Sequence, residues 1–440
     1  MSVLNVEVLG DDLLSFFRKG AIVTVTELGN PRSKRKRYRE EAVVDIGRDN
    51  PFGVSEQERA DSHAFRLPGP GTYEVSVRHP FGVEVKQEAF EPNAEPQRSI
   101  VVLARSVKVR NRNLALIAGN DSVFSRNVRL LLERESRFLS VISSDHYDNS
   151  SSRIWWSRSS SPLRKPLGFE DLDVLHILQN LDVLDEDDFV ERRRSIVSLD
   201  YSDLYGIYLN LQGQERESGA NFPRWISISR AGYRDLVSMP WLWLPPIRED
   251  GRVAVIDLNR SGGLSSKSDP VRVDVLDSRW GSLLAYVAVG RMEEAGKVAD
   301  ALISDRSDAF DESLPQLALR GKLRDPLVAA LGGLILVSNV EDTSRKKWDK
   351  WLQNLANWFP GIPDGAAICG YRCLQQGRYE EANDWLRKSV ERGLPFFSAT
   401  FRLLSLGFAQ LEDDAYLRKI SKGLVSVDPS QPFTVLSLPA

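Results

Sequence analysis

Cysteine and histidine, which often act as nucleophiles, general bases or metal ligands, are sparse in this chain. Its two cysteines, Cys369 and Cys373, lie four residues apart in a helical pattern, which places both thiols on one helix face. A helix holds their Cβ atoms too rigidly for a relaxed disulfide, and no C-x-x-C motif accompanies them. We interpret them as small buried packing residues in a reducing cytosol, in preference to a redox or metal pair.

The four histidines are the next candidates for acid–base or metal chemistry. His63 and His79 flank predicted strands, where a solvated turn position is the simpler interpretation. His146 has acids nearby that could make a metal site or a general base, but its serine-rich surroundings favour solvation. His176 lies in an apolar helical stretch and is interpreted as a packed core residue. Because no zinc-ligand spacing occurs, the sequence predicts neither a metal nor a cofactor.

Nucleotide and peptidase chemistry lack sequence support. No G-x-x-x-x-G-K-[ST] loop occurs and no G-x-G-x-x-G follows a predicted strand. The hypothesis of an enzyme rests on two acids, Asp200 and Asp203, which lie near Tyr201 and Tyr205. Against it, no nucleophile, general base and orienting residue occur together at a spacing that indicates an active site. We expect a chain without catalytic residues, and an unrecognised active site in the middle region is the alternative.

Composition restricts the partners and the location of the chain. Its 58 basic and 61 acidic side chains leave a formal charge of −3, so no overall field draws it to nucleic acid or an anionic bilayer. Residues 1–20 lack the basic start and apolar run of a secretory signal, and the apolar stretch 327–337 is too short to cross a bilayer. We expect a cytoplasmic protein without a membrane span.

A basic run at residues 31–39 carries six positive charges in nine positions, with Arg35, Lys36 and Arg37 at its centre. It could grip phosphates, present an arginine-rich loop to a partner or a protease, or be a solvated hairpin loop. Nucleic-acid binding by this run is disfavoured by the overall charge and is kept as a second alternative. It predicts an affinity that falls steeply with salt.

A serine-rich segment at residues 143–166 is predicted to be a long mobile loop. It contains two adjacent tryptophans, Trp155 and Trp156, flanked by Arg153 and Arg158. Such residues could anchor a binding interface, or the rings could be tucked into the domain, and both interpretations are open. The loop is also the preferred place for proteolytic cutting.

Alternating apolar residues predict antiparallel strands and a β-sandwich over residues 1–105. Residues 65–75, with their proline-glycine turn and following strand, resemble prealbumin-like and carboxypeptidase-regulatory-like β-sandwich domains. That resemblance implies a scaffold or contact surface. Residues 106–276 mix a helical pattern at 123–139 with short strand signals, which predicts a mixed α/β domain containing the serine-rich loop.

Beyond residue 277 the periodicity becomes helical, and two passages repeat each other: 290–295 reads GRMEEA and 377–382 reads GRYEEA. The second passage resembles a tetratricopeptide (TPR) unit, with Gly370 as the small residue of its first helix and Ala382 twelve residues later. The first passage is degenerate: it keeps Tyr286 and Ala295, but Leu283 replaces the small residue. A further hairpin, 399–411 and 416–427, is expected to cap the array.

Residues 362–366 and 392–395 resemble TPR-like regions of uncharacterised bacterial proteins found alongside caspase-like or CHAT peptidases. The resemblance implies a regulator or cleaved substrate of such a peptidase in a defence or signalling system, with cleavage at 143–166 or 31–39. The sequence therefore predicts a multidomain α+β adaptor with a β-sandwich at 1–105, a mixed α/β domain at 106–276 and a TPR-like helical domain at 277–440.

Overall fold

The structure is a computed structural model of the chain. The residues that it describes are 2–10, 20–28, 38–48, 62–69, 71–80, 82–90, 97–104, 154–156, 168–169, 172, 182–183, 197–203, 206–211, 225–230, 233–238, 252–257, 272–275, 280–304, 313–323, 325–339, 346–429 and 431–439. They divide into two compact units, the first made of Met1–Ser125 with Ser278–Ser313 and the second of Arg126–Asp277 with Leu314–Ala440.

Eight strands form two sheets in the described part of the first unit. They are β1 (Ser2–Gly10), β2 (Ala21–Glu27), β3 (Arg39–Val44), β4 (Gly47–Arg48), β5 (His63–Leu67), β6 (Gly71–His79), β7 (Gly82–Phe90) and β8 (Gln97–Ala104). In one sheet β1 pairs antiparallel with β5 and parallel with β4 and β8. In the other, four strands run antiparallel in the order β3-β2-β6-β7. The predicted strands at the N-terminus are confirmed.

The core of the first unit is built from the alternating residues that predicted these strands. Along β6 the side chains of Tyr73, Val75 and Val77 are buried, whereas their sequence neighbours face outward and are partly exposed. One hydrophobic cluster joins the inward faces of both sheets, with Val6, Val8, Val23, Val25, Phe65 and Ile100 among its members. The two sheets therefore share a single core.

Two helices, α1 (Gly281–Ala288) and α2 (Met292–Ser304), belong to this first unit. The Tyr286 hydroxyl donates to the backbone oxygens of Gly20 at 2.9 Å and Arg78 at 3.1 Å. The Arg291 guanidinium donates to the backbone oxygen of His79 at 3.0 Å. The change from strands to helices occurs near the predicted residue 277, but this first helical hairpin packs with the N-terminal strands.

Nine strands form two antiparallel sheets in the described part of the second unit. They are β9 (Ile154–Trp156), β10 (Asp182–Val183), β11 (Val197–Asp203), β12 (Gly206–Leu211), β13 (Trp225–Arg230), β14 (Tyr233–Ser238), β15 (Arg252–Asp257), β16 (Arg272–Val275) and β17 (Val435–Pro439). Their orders are β10-β9-β13-β14-β17 and β11-β12-β15-β16. The helix predicted at 123–139 lies outside the described residues.

Strand β9 falls inside the segment 143–166 that was predicted to be a mobile loop. It pairs with β13 through Ile154, Trp155 and Trp156, and with β10 through the two tryptophans. The loop prediction is therefore wrong for these three residues. Serine content dominated that prediction, whereas a β-branched residue followed by two aromatics has a strong strand preference of its own.

Seven helices follow in the described part of the second unit. They are α3 (Leu314–Arg320), α4 (Pro326–Ser338), α5 (Asp349–Trp358), α6 (Pro363–Gln375), α7 (Tyr379–Arg392), α8 (Ser398–Gln410) and α9 (Asp414–Ser426). Prolines occupy the first helical positions of α4 and α6, where no backbone N–H donor is needed. None of the helices among the described residues is long and apolar enough to cross a bilayer. The predicted helical C-terminal region is confirmed.

Strands and helices of the second unit share one core. Trp225 and Leu236 from the middle strands and Leu436 from β17 join the same hydrophobic cluster as Leu386 and Phe401 from the helices. Strand β17 reaches this position by adding to the edge of β14. The last strand of the chain thus closes a sheet formed by the middle region.

Candidate functional site

Helices α6, α7 and α8 approach one another at two glycines. A Cβ atom at Gly370 would lie 2.8 Å from Cγ of Leu386 and 3.1 Å from the backbone oxygen of Ala382. A Cβ atom at Gly407 would lie 2.6 Å from Cδ1 of the same leucine. The Leu386 side chain of α7 therefore occupies space that only glycine leaves free on α6 and α8.

The turns between paired helices share one conformation. Gly290, Gly377 and Glu412 all have a positive φ, at 73°, 72° and 55°. Glu412 is the single non-glycine residue with this geometry in the described part of the chain. It follows Gly377 by 35 residues, and α8 and α9 begin 35 residues after α6 and α7 respectively. Sequence reasoning placed the last hairpin but missed this shared offset, because its turn has glutamate where the other two turns have glycine.

Asp364 fixes the start of α8 against the start of α6. Its fully buried carboxylate accepts hydrogen bonds from the backbone N–H groups of Phe396 at 2.8 Å and Phe397 at 3.1 Å. The Thr400 hydroxyl donates to it at 2.6 Å. Burial raises the pKa of Asp364 above its ordinary value, although these donors oppose the shift. Sequence reasoning missed this residue because its partners lie about thirty positions along the chain.

An open groove of about 500 Å³ lies where α6 and α8 end and α7 begins. Its lining is aromatic and amide-rich: Tyr371, Leu374, Gln375, Gln376, Gly377, Tyr379 and Gln410. Tyr379 is 54% exposed, and Gln410 is exposed as well. Gln375 donates to the backbone oxygen of Val337 at 2.7 Å, so the base of the groove is held in place. Phenol and amide groups on an open surface suit a peptide backbone.

A buried ion pair beside the groove orients one of its lining residues. Arg372 is 2% exposed and its Nε donates to Oδ1 of Asp349 at 2.8 Å. Its guanidinium carbon lies 5.0 Å from the centre of the Trp348 ring. Gln376 donates to the other carboxylate oxygen of Asp349 at 2.7 Å. The groove residue Gln376 is therefore oriented by a charged group that carries its own hydrogen bonds.

The two cysteines lie on α6, buried and not joined in a disulfide. The hydrogen bond with Cys373, together with burial, raises the pKa of the Cys369 thiol. The Cys369 thiol, held in its protonated form, is a poor nucleophile and a poor metal ligand. Both residues contribute to the packed face of α6, the role that the sequence predicted for them.

The structure places the predicted packing residues in two different units. Gly370 and Ala382 meet between α6 and α7, where Ala382 is fully buried. Ala295 is fully buried on α2, and Tyr286 is fully buried on α1. The first sequence repeat therefore lies with the N-terminal strands in the first unit, and the second repeat lies in the second unit.

The predicted binding loops fall mostly outside the described residues. This holds for Arg35, Lys36, Arg37, Arg153 and Arg158. Trp155 and Trp156 are described as backbone positions of β9. Asp200, Tyr201 and Asp203 lie on β11, where the pairing register shifts, and Tyr205 lies outside the described residues. No group of three or more metal-ligating side chains occurs in the part of the chain that the structure describes.

One histidine prediction is wrong. His79 is fully buried, because it continues the inward-facing series of β6 and does not lie in the solvated turn. Its Nε2 atom lies 4.0 Å from Oε1 of Glu84. His63 is exposed, as predicted, and His146 and His176 lie outside the described residues.

The helical region matches a known family. Residues 282–435 match the family model of the Y4kD C-terminal domain, a stretch that runs from α1 to the start of β17. No curated protein and no solved structure matches the chain. The helical region of this chain, about a third of its length, is therefore similar to the Y4kD C-terminal domain.

Proposed function

We propose that this chain is a non-catalytic adaptor or regulatory protein that binds another protein through TPR-like helical hairpins. The observation that carries the proposal is the packing of Leu386 between Gly370 and Gly407, which repeats the small-residue contact of TPR helices. The offset of 35 residues between α6–α7 and α8–α9 is close to the TPR period of about 34. Both support a stacked array.

The N-terminal strands are proposed to be a β-sandwich of the prealbumin-like type. Support comes from two sheets whose inward faces share one core, together with the proline-glycine turn that precedes β6. The Tyr73 hydroxyl donates to the backbone oxygen of Gly69 at 2.8 Å, which ties the strand to that turn. Such a module would act as a scaffold or a second contact surface.

The groove formed by α6, α7 and α8 is the proposed binding surface. Its exposed side chains, Tyr379 and Gln410, offer an aromatic ring and an amide to a peptide segment. Its supporting side chains are already held by internal hydrogen bonds, so little ordering is needed when a partner binds.

The proposed partner is a caspase-like or CHAT peptidase, with this chain as its regulator or cleaved substrate. The proposal rests on the resemblance at 362–366 and 392–395. Within those stretches Asp364 positions the start of α8, and Leu394 is buried in the core of the second unit. The expected cleavage sites are 143–166 and 31–39.

Two measurements test the proposal on the full chain. The chain is incubated with an activated CHAT peptidase from the same host, and fragments are mapped by mass spectrometry. Binding is measured in parallel for the wild type, for Tyr379→Ala/Gln410→Ala in the groove, and for the control Lys422→Ala on α9. We expect the groove variant to bind about tenfold more weakly and the control to be unchanged. An intact chain together with no binding would overturn the peptidase proposal.

The two alternatives remain predictions with simple tests. Nucleic-acid binding by residues 31–39 requires binding to a labelled oligonucleotide at low ionic strength that weakens steeply with salt. An active site around Asp200 and Asp203 requires a chemical product whose formation is lost in an Asp200→Asn/Asp203→Asn variant. Either result would redirect the functional assignment away from an adaptor.

A further inference from the structure

Helix α5 carries an unusual concentration of tryptophans and lysines. Trp348 is buried beneath Arg372, but Trp358 at the other end of the helix is 53% exposed. Trp351 lies between them and is partly exposed. Large aromatic side chains that keep contact with solvent are candidates for binding anchors.

Trp351 and Trp358 lie on the same face of α5. Seven residues correspond to almost two full turns, so the two rings are spaced by about 10 Å along the helix axis. Each ring has an ammonium group over it. Lys347 Nζ lies 5.6 Å from the Trp351 ring centre, and Lys322 Nζ lies 5.1 Å from the Trp358 ring centre.

Lysines are concentrated at the start of α5. Lys346, Lys347 and Lys350 lie at its start, and the acid among them, Asp349, turns inward to Arg372. Lys322 is 5% exposed, and its ammonium group donates a hydrogen bond to the backbone oxygen of Leu319 at 3.4 Å. Among the described residues no carboxylate pairs with Lys322. The exposed lysines near α5, Lys347 and Lys350, are the cationic groups of this surface that can meet carboxylates of a partner.

Leu323 extends this surface with an aliphatic side chain. It follows Lys322 directly in the turn after α3 and is 76% exposed. Single exposed apolar residues are common on protein surfaces. Here, however, an exposed leucine, a half-exposed tryptophan and a buried lysine occur together at the end of the row of tryptophans.

We propose that this surface, the α5 stripe, binds an acidic peptide segment of a partner protein that carries two apolar side chains about 10 Å apart. The stripe consists of six residues: Lys322, Leu323, Lys347, Lys350, Trp351 and Trp358. The apolar side chains of the peptide pack against the two tryptophans and Leu323, and its carboxylates pair with the lysines. The stripe does not include the groove residues, so the two surfaces can fail independently.

A peptide fits the stripe better than a nucleic acid does. Each tryptophan already has a lysine over one ring face, which leaves less aromatic surface for base stacking. Leu323 offers an aliphatic contact that bases do not need. The net charge of −3 gives the chain no overall attraction to a polyanion.

The test uses the full chain and a fluorescein-labelled peptide of 20 residues, with leucines at positions i and i+7 and glutamates around them. A second peptide replaces every glutamate with glutamine, and a single-stranded 20-nucleotide DNA is the third probe. Binding is followed by fluorescence anisotropy at two salt concentrations. We expect the acidic peptide to bind at least about tenfold more tightly than the glutamine peptide, because the lysines pair with its carboxylates.

Four variants locate the binding surface. Trp358→Ala is expected to weaken binding of the acidic peptide about tenfold, and Trp358→Phe to restore most of it. Lys347→Glu/Lys350→Glu should weaken binding strongly, while Arg418→Glu/Lys422→Glu on α9 makes the same change in net charge and should not. Thermal unfolding is measured for each variant to show that it folds.

Several outcomes would overturn the proposal. They are equal losses in the two charge-reversal pairs, unchanged binding in Trp358→Ala, or tighter binding of the DNA than of the acidic peptide. If Tyr379→Ala/Gln410→Ala abolishes peptide binding and Trp358→Ala does not, the peptide occupies the groove. In that case the stripe proposal fails and the groove proposal gains support.

Discussion

The hairpins α1–α2 and α6–α7 share a six-residue motif but are packed by different means. In α6–α7 the glycine at 370 admits Leu386, so the two helices hold each other closely. In α1 the corresponding position is Leu283, fully buried, and every residue of that helix is buried. Tyr286 of α1 donates to backbone groups of the N-terminal sheets. A shared motif therefore specifies a hairpin, while the residues around it select what the hairpin packs against.

The largest effect is expected from removing the large side chain that distinguishes α1. Leu283→Ala leaves a cavity in a fully buried position and should lower the free energy of unfolding of the first unit by about 3 kcal/mol. Chemical denaturation measures this decrease in the free energy of unfolding. The exposed Leu323→Ala is the matched control, and an equal effect of both changes would contradict this account.

Adding a side chain at Gly370, the residue that distinguishes α6 from α1, should have the next largest effect on stability. Gly370→Ala places a methyl group 2.8 Å from Leu386, and we expect a destabilisation of about 1–2 kcal/mol despite the better helix propensity of alanine. Denaturant midpoints of the second unit provide the measurement. Gly321→Ala, where the nearest atom would be 3.4 Å away, should change the midpoint little. Stabilisation by Gly370→Ala would mean that the contact between α6 and α7 has space for a methyl group.

The hydroxyl of Tyr286 is expected to contribute about 1 kcal/mol to the attachment of α1. Tyr286→Phe removes the donor to Gly20 and Arg78 while keeping the ring buried. Hydrogen exchange of residues 281–304 should become faster in this variant. Tyr379→Phe, which alters an exposed tyrosine of α7, should leave exchange unchanged there. Unchanged exchange in Tyr286→Phe would show that the ring alone holds the hairpin.

An ion pair network gives the first unit a pH dependence. Lys297 of α2 lies 2.8 Å from Glu41 of β3, and Arg78 lies 2.6 Å from the same carboxylate. Although burial opposes it, the bond from Lys297 and the charge of Arg78 hold the pKa of Glu41 below its ordinary value. The contribution of these ion pairs to the stability of the first unit is fully present above the pKa of Glu41 in the unfolded chain, about 4.3. It is lost as the pH falls through the lower pKa of Glu41 in the folded protein.

Substitution at Glu41 tests this pH dependence. Glu41→Gln should lower the melting temperature at pH 7, and the difference from wild type should shrink towards pH 3. Glu74→Gln on β6, which lies two strands from β3 in the same sheet, is the control and should have a smaller effect at pH 7. A difference that stays constant between pH 7 and pH 3 would exclude the network as its cause.

The smallest effect is expected at the turn of the last hairpin. Glu412 adopts the left-handed conformation that glycine adopts at 290 and 377. Glu412→Gly relieves this strain and should stabilise the second unit by about 0.5 kcal/mol, after the entropy cost of glycine is included. Gly377→Ala should do the opposite at the equivalent turn. Thermal unfolding that shows destabilisation in both variants would argue against equivalent turns.

Local sequence patterns predicted the strands and helices well where the apolar residues had a clear spacing. The alternation in β6 and the amphipathic pattern of α7 each follow from one element's own residues. Prediction failed for His79, which a strand parity count would have placed inside, and for β9, whose serine-rich surroundings hid a short strand. The groove could not be predicted, because Tyr379 and Gln410 are 31 positions apart and meet only when α6, α7 and α8 pack.

The sequence by itself determined where strands give way to helices, and that 290–295 and 377–382 each turn one helix back on another. Those features depend on glycine conformation and on apolar spacing within a few turns. Only the tertiary structure decided that α1–α2 joins the N-terminal strands, that β17 completes a sheet of the middle region, and that Asp364 of α6 binds the residues just before α8. Such partnerships depend on shape and hydrogen bonding between distant segments, which no local pattern encodes.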